Sequence, residues 1–133
     1  MNNVVEMSLT EVANAIQNKQ LSSVEATQAC IDQVLAWQPN VNAFISFDPE
    51  DALDQAKVAD ATLALGNIRG PLHGVPLAHK DLFYRDGKRT TCASKILGDL
   101  TPDYDATVLQ RLANAGALHL GGLNMSELAV GAA

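Results

Sequence analysis

The stretch Gly70-Pro71-Leu72-His73-Gly74-Val75-Pro76-Leu77-Ala78-His79-Lys80-Asp81 decides how this chain reads. Glycine and proline crowd its first half, as they do where a chain turns. From Val75 to His79 there are only apolar residues, a proline and an imidazole, a run of strand length. The run ends on Lys80. An ammonium at the end of a buried strand loses hydration, which favours the neutral amine, the form able to accept a proton as a general base. Making a lysine substantially neutral at pH 7 takes about 4 kcal/mol of differential interaction, which burial supplies if no carboxylate offsets it. Asp81 follows directly, yet neighbours on a strand point to opposite faces, so its carboxylate is expected to serve local structure without touching the amine.

Upstream of this run the pattern is helical. Ser8-Leu9-Thr10-Glu11 is a capping box, and Leu9, Val12, Ala13 and Ile16 follow at helical spacing. Ser22-Ser23-Val24-Glu25 repeats the signal, with Val24, Thr27, Ile31 and Val34 on one face and Pro39 expected to stop the helix. Residues 42–47 read as a short strand. Asp48-Pro49 places a capping carboxylate before a proline at the first helical position, and Ala52, Ala56, Ala59 and Leu63 form a stripe that ends at Gly66. Downstream, Asp105 is expected to cap a helix carrying Val108, Leu109 and Leu112. Gly116 ends that helix, residues 117–120 read as a second strand, and Asn124 and Glu127 are expected to cap a short helix. Strands alternating with helices give an α/β fold class: a mostly helical segment over residues 1–69, then the start of an α/β core over 70–133, with a mixed or largely parallel sheet covered by helices.

Composition narrows the function. The 133 residues make about one domain, 47% hydrophobic and 18% charged, which suits a packed core. A formal charge of -6, with only 9 Lys and Arg scattered along the chain, argues against direct binding of nucleic acid. No apolar run reaches the roughly 20 residues that span a bilayer, and no basic amphipathic helix suggests a lipid surface. Cys30 and Cys92 are too few for a disulfide framework, and the opening residues lack a signal-peptide pattern, so a cytoplasmic location is expected. His73, His79, Cys92 and His119 match no compact zinc spacing, and residues 116–122 lack the glycine order of a dinucleotide turn.

After Lys80-Asp81 come Thr90-Thr91-Cys92-Ala93-Ser94-Lys95, Asp105-Ala106-Thr107-Val108, Ala115-Gly116-Ala117 and Asn124-Met125-Ser126-Glu127. In order and spacing these resemble the front part of the amidase signature family, whose domain is several times longer than this chain. The resemblance implies hydrolysis of carboxylic amide bonds by a nucleophilic serine, a second serine on a cis peptide, and a lysine, with no cofactor and no metal. Lys80 matches the lysine and is the one catalytic residue carried over. Both serines belong to a later Gly/Ser-rich segment of the family that nothing in residues 1–133 resembles. The isolated chain is therefore expected to be an inactive fragment, with a small-molecule amide as substrate of the intact enzyme. Exposed sheet edges and apolar faces lead to an expectation of self-association or of a complementing C-terminal part. The alternative is a non-catalytic interaction module that packs its helical residues 8–66 on a partner.

Ser94 has no visible activating base and reads as a structural hydroxyl. Three departures from the family pattern stand out. His79 occupies a usually aliphatic position, either as a satisfied imidazole or as a group that tunes Lys80. Gly121-Gly122-Leu123-Asn124 stands where many members have G-K-T-N. Gly131-Ala132-Ala133 stands where small hydroxylated residues are common.

Overall fold

The computed structural model describes residues 3–131. After a 3-10 turn at Val4–Glu6, the elements run α1 (Leu9–Gln17), α2 (Ser23–Val41), β1 (Phe44–Phe47), α3 (Pro49–Ala64), β2 (Pro76–Lys80), α4 (Thr107–Asn114) and β3 (Leu118–Leu123), with a last 3-10 turn at Glu127–Ala129. Both expected capping boxes form. The Ser8 and Ser22 hydroxyls accept from Glu11 N–H and Glu25 N–H, and each glutamate reaches back to its serine's backbone N–H. Asp48 caps α3 by accepting from Asp51 N–H, with Pro49 at the first position.

Three expectations are corrected. Pro39 lies inside α2, which continues to Val41. A proline forfeits only one helical donor, and this last turn is exposed and secured otherwise: Asn42 adopts φ 46°, and Gln38 clasps both backbone groups of Phe44 at 2.9 and 3.0 Å. Asp105 does not cap α4. Its carboxylate accepts from Asp86 N–H at 2.8 Å, and the residue at the cap is Ala106, which has no side-chain bond to offer. Nor do Asn124 and Glu127 cap the last turn: Asn124 bonds Asn42 O and Met125 N–H, and Glu127 takes the Ser94 hydroxyl.

The sheet has the order β1-β3-β2, with β3 antiparallel to β1 and parallel to β2. It is mixed because β2 and β3 are joined through a helical crossover, α4, as a parallel pair requires. β1 leaves the sheet at Asp48, and α3 takes its place along β3: Gln55 accepts from His119 N–H at 3.0 Å and donates to His119 O at 3.3 Å. The helices α2 and α3 pack on each other and on the sheet. Ile16, Val12, Ala13, Ala26, Leu63 and Val75 make one buried cluster; Ile31, Ala52 and Leu120 a second; Ala56, Ala59 and Leu118 a third. The alanine stripe of α3 thus lets two helices and a strand approach closely.

Gly74 enters β2 at φ +76°, a left-handed conformation, with its Cα against the Ser23 hydroxyl where no side chain fits. Ser23 is there because Asp60 of α3 receives the N–H groups of Ser23 and Val24 at 2.7 and 3.1 Å. That carboxylate completes the capping of α2 from another helix. Among the described residues no helix is long and apolar enough to cross a membrane.

Candidate functional site

Parallel α/β sheets place reactive groups beyond the carboxyl ends of their strands, and here β2 and β3 end together: Lys80 pairs with Leu123. Lys80 is exposed, so the described residues do not supply the burial expected at the end of its strand; β2 is an edge strand and Lys80 is its outermost residue. Asp81 behaves as expected. It is 4% exposed, and its Oδ2 accepts from Thr91 N–H at 3.0 Å and from the Thr91 hydroxyl at 2.7 Å. Its backbone carbonyl takes Cys92 N–H at 3.0 Å, and its own N–H donates to Leu123 O at 3.1 Å. One buried carboxylate therefore fastens the loop after residue 90 to the ends of β2 and β3.

A rim forms from two segments beside Lys80. The buried Ser94 hydroxyl donates to Glu127 Oε1 at 2.8 Å and accepts from Ile96 N–H at 3.2 Å, while Leu128 N–H donates to Cys92 O at 2.9 Å. Ser94 has a carboxylate partner after all, but its one donor and one of its acceptor positions are spent on holding the rim together. Four of the six non-glycine residues with positive φ among the described residues lie in the same two segments. Cys92 and Ala93 have φ of 50° and 53°, and Leu128 and Ala129 have φ of 53° and 57°, a conformation that side chains with a Cβ adopt at a cost of order 1–3 kcal/mol each. The cost is sustained by the cross-bonds just named. Sequence reading had no access to this strain, because none of the four is a glycine or asparagine.

The four residues weighed as metal ligands divide. His73 is buried with Nδ1 accepting from Arg69 N–H at 3.1 Å and Nε2 bonded to Ala59 O at 3.0 Å, a satisfied core imidazole. Cys92 is half-buried in the rim, where burial and the nearby Asp81 carboxylate push its thiol up. His79 and His119 do meet, with ring centroids 4.5 Å apart, and Arg85 Nη1 lies 2.8 Å from His119 Nδ1. Burial foremost, then the Arg85 charge, pull both imidazoles below their ordinary value, His119 to about 3. Among the described residues no set of three His, Cys, Asp or Glu is arranged to hold a metal.

Gly121 and Gly122 let β1 cross β3 closely. A Cβ on Gly122 would lie 2.6 Å from Ser46 Oγ and 3.2 Å from Asp81 Oδ1, which accounts physically for a glycine where the resemblance led to lysine. Of the terminal Gly131-Ala132-Ala133, the two alanines lie outside the described residues, and the expectation attached to them is not addressed by the structure.

Residues 25–133 match the family model described as Amidase. A glutamyl-tRNA(Gln) amidotransferase chain of Azotobacter vinelandii is 48% identical over 127 residues, covering 96% of this chain and 26% of that protein. The chain thus spans about a quarter of the length of the curated relatives it matches. Among solved structures, the native peptide amidase of Stenotrophomonas maltophilia superposes with TM-score 0.85 at 34% identity, over 92% of this chain and 26% of that one. A fatty acid amide hydrolase superposes with TM-score 0.87 at 24% identity, over 92% and 22%, a likeness of fold.

Proposed function

The chain belongs to the amidase family, and from that premise we propose that Lys80 is the proton-accepting base of a carboxylic-amide hydrolase whose two serines come from outside residues 1–133. The observation that carries this reading is the position of Lys80: it closes β2 where the parallel pair ends, beside a strained rim, with Asp81 turned away to hold that rim. In the intact enzyme Lys80 takes a proton from the cis-peptide serine, which relays it from the nucleophilic serine as that attacks the amide carbonyl. The C–N bond breaks, ammonia or an amine leaves with a proton, and water releases the acid from the acyl-enzyme. Lys80 is exposed among the described residues, so this reading requires further chain to cover it and remove its water.

The substrate is proposed at the level of a carboxylic amide, the bond in the name of the peptide amidase that the chain resembles at 34% identity. A cytoplasmic setting, no direct hold on nucleic acid, and a partner or complementing segment complete the proposal. Trp37 and Val41, both exposed and one turn apart at the end of α2, support the last of these.

The test is ammonia release from a simple carboxamide by the complete polypeptide that carries these residues. Lys80→Ala is expected to lower kcat/KM by about 10²–10⁴-fold with the circular dichroism unchanged, the range typical of a lost general base. Ser94→Ala is expected to retain chemistry and lose stability. Wild-type turnover in folded Lys80→Ala would remove Lys80 from the mechanism.

A further inference from the structure

The outer edge of β2 has no neighbour among the described residues, since the sheet order β1-β3-β2 puts no strand beyond it. Which of its backbone groups face outward follows from the ladder. Val75 O accepts from Leu118 N–H at 2.8 Å, and Asp81 N–H donates to Leu123 O at 3.1 Å. Between them β2 runs without a gap, the one residue passed over being Leu120 on β3. Alternate residues of a strand turn their backbone groups to the same side, so Leu77 and His79 also bond β3, while Pro76, Ala78 and Lys80 face outward. We propose that two copies of the 133-residue chain pair along this edge, as a two-fold antiparallel ladder centred on Ala78.

The edge complements itself. Pro76 offers a carbonyl and no N–H, and Ala78 offers both groups. Lys80 offers its N–H alone, because Lys80 O already accepts from Leu82 N–H at 2.7 Å and from Phe83 N–H at 3.3 Å. Read backwards with donor and acceptor exchanged, the series is the same. About a two-fold axis at Ala78, each Ala78 N–H meets the other copy's Ala78 O, and each Lys80 N–H meets the other copy's Pro76 O. The groups that cannot bond, the missing Pro76 donor and the spent Lys80 carbonyl, fall opposite one another. An axis at His79 would instead set Ala78 N–H against the spent Lys80 O, and one at Leu77 would set Ala78 O against the proline.

The side chains suit the same register. Ala78 lies opposite Ala78, Leu77 opposite His79 and Lys80 opposite Pro76, so the centre is small and no two like charges face each other. Apolar clefts flank the strand as well. One of about 430 Å³ separates β2 from Leu109 and Leu112 of α4, and one of about 490 Å³ separates it from Val12 of α1 and Val34 of α2. A strand laid along β2 therefore enters apolar surroundings on both faces, the setting of an interior sheet strand. Pairing there closes an edge that otherwise presents unbonded N–H and C=O groups to any extended chain.

This inference does not rest on Lys80 as a base, since it uses only the backbone of that residue. Its test is sedimentation equilibrium and amide hydrogen exchange of the 133-residue chain at concentrations from about 1 µM to about 1 mM. The mass is expected to rise from one copy to two, and exchange at Ala78 N–H and Lys80 N–H to slow as it does. Leu77 N–H and His79 N–H, bonded to β3, are expected to stay protected at every concentration. Ala78→Pro removes the central donor without touching a bond to β3 and is expected to weaken association by about tenfold or more. Lys80→Ala keeps its N–H and is expected to leave association unchanged. The wild-type exchange pattern decides the matter whether or not Ala78→Pro folds. A chain that stays monomeric throughout, or a dimer whose Ala78 and Lys80 amides exchange as fast as in the monomer, overturns the proposal. Protection of those amides in the monomer also overturns it, because another segment then fills the edge.

Discussion

Residues 8–66 and residues 81–106 are held by bonds of different reach. In the first region the polar bonds that define the helices join positions three or four apart: Ser8 with Glu11, Ser22 with Glu25, Asp48 with Asp51. In the second, which carries no regular element, the defining bonds run from Asp81 to Thr91, from Asp86 to Asp105 and from Ser94 to Glu127. Short-range bonds build a scaffold whose parts are individually favoured. Long-range bonds sustain a conformation that is locally unfavourable, and that is the region where the left-handed Cys92 and Ala93 lie, next to Lys80. Of the six non-glycine residues with positive φ among the described residues, four lie outside residues 8–66, at 92–93 and 128–129, and the helices supply the stability that permits them.

The contrast predicts a descending series of effects, measured by denaturant unfolding of the complete polypeptide. Asp81→Ala strands the N–H and the hydroxyl of Thr91 in the interior, and roughly 3 kcal/mol of destabilisation is expected, with Asp81→Asn costing less because it keeps an acceptor. An unchanged unfolding midpoint in Asp81→Ala would show that the rim does not depend on that carboxylate. Next comes pH. His119 is held neutral down to about 3, while the unfolded ring protonates near 6.5, so the unfolded state binds the extra proton between these values. Stability from this residue is complete above about 6.5 and declines as pH falls, by at most about 1.4 kcal/mol over the first pH unit, from about 6.5 to about 5.5. His119→Gln is expected to flatten that slope; identical slopes would disconnect the ring from the acid limb. The smallest effect belongs to the local region: Ser22→Ala should cost about 1 kcal/mol, because one cap is lost while Asp60 still holds Ser23 and Val24.

The same difference in reach governs what the sequence discloses. Ser8 to Glu11, Ser22 to Glu25 and Asp48-Pro49 announce their helices because cap and capped group are adjacent in the chain, and the apolar run into Lys80 announces β2 in the same way. The Asp60 cap on α2 is invisible because its partners are 36 and 37 residues away and become neighbours only when α2 and α3 pack. Asp105 misleads for a related reason: a carboxylate next to a helix start is a cap unless a distant N–H, here that of Asp86, claims it first. Pro39 misleads because an exposed final turn tolerates the loss of one donor. The position of Lys80 was legible, but its exposure was not, since burial of a strand end depends on which strands lie beyond it. The meeting of His79, His119 and Arg85 follows from the register of β2 against β3, which no single segment encodes.

The most direct test of Lys80 as the base is chemical rescue in the complete polypeptide. Turnover of a simple carboxamide by Lys80→Ala should be lost and then partly restored by added methylamine, in proportion to the free-base concentration as pH rises. Turnover that survives the substitution, or a loss that methylamine leaves untouched at every pH, would contradict the account.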